Sequence, residues 1–110
     1  MAGFEFGWSA RSTNNGATWT ALTKGLNSGS TTSSIYCLAT DGAGVWVAGF
    51  NNGWAARSTD NGATWTALTR GLNAALSSYI RTIATDKNGV WVAGFEQGYA
   101  SYNADNGADI

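Results

Sequence analysis

Arg57-Ser58-Thr59-Asp60-Asn61-Gly62-Ala63-Thr64-Trp65-Thr66-Ala67-Leu68-Thr69 repeats Arg11-Ser12-Thr13-Asn14-Asn15-Gly16-Ala17-Thr18-Trp19-Thr20-Ala21-Leu22-Thr23 with one change, Asp60 for Asn14. The next residues recur as well: Lys24-Gly25-Leu26-Asn27 becomes Arg70-Gly71-Leu72-Asn73. Further on, Gly44-Val45-Trp46-Val47-Ala48-Gly49-Phe50 returns as Gly89-Val90-Trp91-Val92-Ala93-Gly94-Phe95. The first offset is 46 residues (57 − 11) and the second 45 (89 − 44). The one-residue slip falls between Asn27 and Asp41, in the Ser/Thr-rich stretch 28–34, where a surface loop absorbs it. A period of this length belongs either to a four-stranded propeller blade or to a helical repeat.

The local pattern decides for strands. Ile80-Arg81-Thr82-Ile83-Ala84-Thr85 and Val90-Trp91-Val92-Ala93-Gly94-Phe95 are short β-branched and aromatic runs. Asp86-Lys87-Asn88-Gly89 separates them, and its Asn-Gly predicts a tight hairpin. Gly98–Tyr102 and Trp65–Leu68 alternate as strands do. Each repeat therefore reads as four strands: A (34–40 and 79–85), B (45–50 and 90–95), C (8–12, 54–58 and 99–103) and D (18–22 and 64–68). Six Trp, fifteen Gly and no Pro among 110 residues agree with an all-β chain rich in turns.

Ser58-x-Asp60-x-Gly62-x-Thr64-Trp65 resembles the Asp-box of sialidase-like β-propellers (BNR repeats), matching all five defined positions. Asp60 can accept hydrogen bonds from its own turn, Asn61 and Gly62 tolerate positive φ, and Trp65 can fill the space between neighbouring sheets. The first copy carries Ser12, Asn14, Gly16, Thr18 and Trp19, with an amide in place of the carboxylate and so without charge assistance. A third copy over 103–110 keeps Asp105 and Gly107 only. In this family the Asp-box lies at the periphery, away from the ligand face, so the resemblance implies a structural role for these residues. A calcium loop is the rival reading of Asp60-Asn61-Gly62, but the spaced acids and terminal Glu are missing.

The expected fold is all-β: a β-propeller of four-stranded antiparallel blades, about two per chain. Residues 1–33 supply strands C and D of a split blade, with Met1–Phe4 as a stub of B. Residues 34–78 supply a whole blade, and 79–110 supply A to C. Two blades cannot close a circle and leave open sheet edges and apolar faces. The expectation is a homo-oligomer joined head to tail through the split blade, a trimer giving six blades. The two C segments at either end then compete for one place; Trp8–Arg11 is expected to take it, leaving residues after about 103 to fray.

Composition narrows function. Seven acids against six bases, with 12% of residues charged, give no concentrated basic face for nucleic acid. Apolar runs such as Val45-Trp46-Val47-Ala48 are far short of the ~20 residues of a membrane span, and no basic-then-apolar leader follows Met1. A lone Cys37 and no His leave no zinc cluster and no imidazole base, so neither metal nor cofactor is expected. Cys37 itself reads as a small buried hydrophobe.

A propeller's ligand face is built from its B–C and D–A connections. Here these hold Glu5, Asn51, Asn52, Glu96 and Gln97, with Arg70 and the aromatics Trp8 and Trp54 beside them. Amides, acids and a base next to rings suit sugar hydroxyls and a sugar's apolar face. The chain therefore reads as a non-enzymatic propeller-forming protein, with a lectin-like glycan site as candidate and a ligand-free assembly module as the alternative. A sialidase-like glycosidase is the third reading. It needs three converging arginines, a Tyr–Glu pair and an Asp acid, which the scattered Arg11, Arg57, Arg70 and Arg81 do not suggest. Arg70 and Arg81 are aligned with Lys24 and Leu38 in this reading.

Overall fold

The computed structural model describes residues 1–73, 78–104 and 106. Its strands are β1 (Ala2–Gly3), β2 (Ser9–Arg11), β3 (Thr20–Ala21), β4 (Ile35–Thr40), β5 (Trp46–Phe50), β6 (Ala55–Ser58), β7 (Thr66–Ala67), β8 (Ile80–Thr85), β9 (Trp91–Phe95) and β10 (Ala100–Asn103). Every pairing is antiparallel, in three sheets ordered β1-β2-β3, β4-β5-β6-β7 and β8-β9-β10. No α-helix occurs among the described residues; the connections include short 3-10 turns at Glu5–Gly7, Lys24–Asn27, Arg70–Asn73 and Glu96–Gly98.

The strand count differs from the sequence reading in one respect. The Met1–Phe4 stub is a paired strand, with Ala2 opposite Ala10 and Gly3 opposite Ser9. Both end segments thus form a sheet of their own, and β2 and β10 each have a place instead of competing for one. Fraying after 103 falls mostly outside the described residues, as does the rest of the third turn.

The A–B hairpins are set by Thr-Asp pairs. Asp41 Oδ1 accepts from the amides of Ala43 (2.8 Å) and Val45 (3.1 Å), and Thr40 Oγ1 donates to Val45 O at 2.8 Å. Asp86 and Thr85 repeat this on Asn88, Val90 and Val90 O. The left-handed positions are Lys87 (φ 66°) and Gly89 (φ 101°), not Asn88. The tight Asn-Gly turn does not form because the Asp86 carboxylate spans a longer loop and dictates its dihedrals.

Both A strands, β4 and β8, carry a bulge, at Tyr36 between Ile35 and Cys37 and at Arg81 between Ile80 and Thr82. Arg81 therefore occupies the register position of Tyr36, not that of Leu38. The 45-residue offset of the B strands gives the same partner (81 − 45 = 36), so the alignment with Leu38 departed from the repeat itself, and the bulge is common to both copies.

Alternation sorts β5 onto two faces. Ala48 and Phe50, with Ile35, Ala56 and Trp65, pack toward the first sheet against Leu26, Met1 and Leu22. Val45 and Val47, with Ala55, pack toward the third sheet against Ile80, Ile83, Trp91, Ala93 and Phe95. Two apolar layers therefore lie between three successive sheets. Leu26 (φ 47°) and Leu72 (φ 48°) are fully buried in left-handed turns, one in each layer. Such a dihedral is costly for a side chain with a Cβ, so burial of the leucine is what offsets it.

Candidate functional site

The C–D turns form the same hydrogen-bond network twice. In 58–65, Ser58 Oγ donates to Asp60 Oδ1 (2.8 Å) and accepts from Gly62 N (2.9 Å). Thr64 N donates to Asp60 Oδ1 (2.9 Å), Thr64 Oγ1 donates to Asp60 Oδ2 (2.5 Å), and Trp65 Nε1 donates to Gly62 O (2.9 Å). In 12–19, Ser12, Gly16, Thr18 and Trp19 make the corresponding bonds. Only the fourth reverses: Asn14 Nδ2 donates to Thr18 Oγ1 at 2.7 Å. An amide preserves the turn because the threonine hydroxyl works as either donor or acceptor. Hydrogen bonds from Thr64, then Ser58, hold the Asp60 carboxyl down at about 2.

The 58–65 turn and the third turn, at Asn106, are also clamped from the preceding sheet. Arg11 Nε donates to Asn61 O at 2.8 Å and Arg57 Nε donates to Asn106 O at 3.0 Å. Within their own sheets, Trp46 Nε1 and Trp91 Nε1 reach the Oδ1 atoms of the same asparagines, at 3.0 and 3.2 Å. The arginines the sequence left unexplained thus join neighbouring sheets. Their signal was the repeat itself: Arg11 and Arg57 share one offset with Asn15 and Asn61.

The B–C and D–A connections meet at one rim. Arg70 lies over Trp54, its guanidinium carbon 5.0 Å from the ring centroid, and Lys24 Nζ lies 5.0 Å over Trp8. Arg70 Nε donates to Asn52 O (3.0 Å), and Asn52 Nδ2 donates to Ser30 Oγ (3.4 Å) while its buried Oδ1 has no partner among the described residues. Gly29 sits so close to Trp54 that a Cβ there would be 2.8 Å from the ring. Trp54 is therefore enclosed between Gly29 and Arg70, whereas half of Trp8 is exposed. Asn52, Trp54 and Arg70 are brought together; Trp8 sits against Lys24 on the equivalent turn of the first sheet, and Glu5 is exposed in the 3-10 turn just before Trp8. Asn51 donates its amide to Ser34 O, and Gln97 is exposed. Glu96 is engaged elsewhere, accepting from Arg81 Nη2 at 2.6 Å beside the edge-to-face pair Tyr36–Tyr79. Lys24 was legible as the repeat partner of Arg70, but the Arg81 cluster was hidden by the bulge.

Elsewhere, burial raises the Cys37 thiol to about 11, far from a reactive thiolate. Among the described residues no three His, Cys, Asp or Glu side chains converge as a metal site.

Residues at one repeat position have opposite exposure in the middle and at the ends. Phe50 is 0% exposed and Phe4 54%; Trp65 is 6% and Trp19 48%; Val47 is 0% and Val92 45%. Phe4 and Trp19 lie on the face of the first sheet that corresponds to the covered face of the second. Val92 lies on the opposite face of the third. No protein-family model matches the chain, and no curated protein does either.

Proposed function

We propose that this chain is a non-enzymatic, propeller-forming repeat subunit of the Asp-box type, which acts by completing a ring with copies of itself. One observation carries the reading: the side chains that seal the two internal sheet junctions have repeat copies exposed at the two ends. An aromatic and aliphatic face of that kind is a self-association surface when its complement is present on the same molecule. Size-exclusion chromatography with light scattering on the 110-residue chain tests it. The expected mass is a multiple of 11.4 kDa; a monodisperse 11.4 kDa species at micromolar concentration overturns it.

A second reading, a multivalent carbohydrate-binding module, is favoured by the repeated pairing of an indole with a base at the rim. The Trp8–Lys24 turn is the open version, with half of its indole in solvent, so it is the sugar platform of choice; Trp54 contributes through Arg70 and Asn52 at its edge. Ring assembly would multiply such weak pockets. A glycan array on the assembled protein, repeated with Trp8→Ala, decides this reading. Sugar binding that survives the substitution, or no binding at millimolar sugar, removes it.

A further inference from the structure

We infer that the partner of each end face is the opposite end face of a second copy, with all three sheets of each chain intact, so that the closed assembly is a dimer of six sheets. The inference rests on the propeller reading above. Propellers use about four to eight blades. Three sheets fall below that range, two copies give six, and three copies give nine, which lies outside it. A trimer enters the range only if sheets are merged at each junction, so that strands now paired in one copy are displaced by strands of the next.

The structure argues against such displacement. β9 carries Trp91, Ala93 and Phe95 into the layer against the second sheet, all buried. The strand that would replace it, β1, offers only Ala2–Gly3 and has no indole to fill the place of Trp91. Seating β2 beside β9 instead displaces β1 and β10: it unpairs Ala2 from Ala10 and Gly3 from Ser9, strips Ala100–Asn103 from β9, and withdraws Met1 from the turn at Gly62 that it covers. Face-to-face stacking needs none of this. It sets Val92 and Ala100 of one copy against Ala2, Phe4 and Ala10 of the other, the arrangement that Val47 and Ala55 already have within the chain.

One difference between this junction and the internal ones makes the inference testable. At both internal junctions an arginine of the C strand reaches a left-handed asparagine of the next turn, Arg11 to Asn61 and Arg57 to Asn106. The residue of β10 at this register position is Tyr102, exposed, and the asparagine it would meet in the second copy is Asn15, whose φ of 59° matches the 61° of Asn61. The Tyr102→Arg substitution installs the missing clamp.

Native mass spectrometry of the 110-residue chain should give a dimer, and Tyr102→Arg should tighten association by about tenfold, the equivalent of about 1.4 kcal/mol. Phe4→Arg and Val92→Arg each change one exposed residue and should each yield folded monomers. Mixed together, they should form a 1:1 complex through the one remaining pair of unaltered faces. A monomeric parent chain overturns the propeller-ring reading itself. A trimer, a Tyr102→Arg variant that associates no more tightly, or no 1:1 complex from the two folded variants overturns the intact-sheet dimer and leaves ring assembly standing.

Discussion

Trp19 and Trp65 hold one repeat position in two environments, so truncating each separates packing within a chain from packing between chains. Trp65→Ala removes an indole that is 6% exposed, and loss of a buried Trp costs about 3–5 kcal/mol. That is a large share of the ~5–15 kcal/mol by which a small domain is stable, so this variant should unfold early or fail to fold. Bringing Trp19 from 48% exposure to the 6% of Trp65 would withdraw a further 42% (48 − 6) of its surface. On a Trp area of roughly 250 Å² this is about 100 Å², or about 2.5 kcal/mol at ~25 cal/mol per Å². At about 1.4 kcal/mol per decade, Trp19→Ala should weaken each junction about 60-fold while the subunit keeps its far-ultraviolet circular dichroism. Sedimentation velocity over a dilution series reads the association constant, and urea unfolding of the dilute subunit reads its stability. If Trp19→Ala leaves association unchanged, or destabilises the isolated subunit as much as Trp65→Ala does, the assignment of Trp19 to an interface is wrong.

Three further outcomes follow from individual contacts. Asp60 has a folded pKa of about 2 against an ordinary 3.8, so its contribution is complete above the unfolded value and is lost as pH falls through the folded one; acid unfolding of the parent should steepen between about pH 4 and 2, and Asp60→Asn, which reproduces Asn14, should flatten that part of the curve. Ser9 Oγ is buried without a partner among the described residues, whereas Ala55 and Ala100 hold the same repeat position, so Ser9→Ala should raise the urea midpoint by the equivalent of about 1 kcal/mol; a lower midpoint would mean that the hydroxyl is satisfied. A Cβ on Gly49 would meet Ile80 Cγ2 at 2.6 Å and Cys37 Sγ at 2.7 Å, but on Gly94 only Thr82 Cγ2 at 3.0 Å; Gly49→Ala should therefore lose about 1–3 kcal/mol in thermal unfolding and Gly94→Ala clearly less.

The antiparallel all-β architecture and most strand positions were legible because repetition reports them twice. A turn that recurs with its Ser, Gly, Thr and Trp in place must be built the same way in both copies. The hairpin over Asp86–Gly89 was misread because the Asn-Gly rule describes dihedral preference alone, and the Asp86 carboxylate overrides it through two hydrogen bonds. The bulges at Tyr36 and Arg81 left no mark in the sequence, since they arise from register between strands. For the same reason the Arg81–Glu96 pair was invisible, and Glu96 was assigned to a rim where it is already engaged. Trp54 lies under Arg70, two connections the repeat pattern already put on one rim, but its enclosure by Gly29 depends on a close approach across two loops that no spacing records.

Near-identity of residues 11–23 and 57–69 goes beyond what a hairpin requires. Ser12, Asn14, Gly16 and Thr18 suffice to close the turn, yet Arg11, Trp19 and Leu22 are repeated as well; Arg11 and Leu22 have partners outside the turn, and the indole reaches beyond the bond of its Nε1 to Gly16 O. Arg11 and Leu22 act forward, on Asn61 and on the apolar layer shared with the second sheet; Trp65 acts backward, in that same layer. Each segment therefore encodes both halves of a sheet junction. In the first segment the forward half is engaged and the backward half, Trp19, faces solvent. Exposing an indole of this size has no benefit to an isolated subunit and adds an aggregation hazard. On the ring assembly proposed above it becomes a fixed contact, with another sheet carrying Val92 and Ala100 against it, and an unaltered repeat copy has the shape that contact requires.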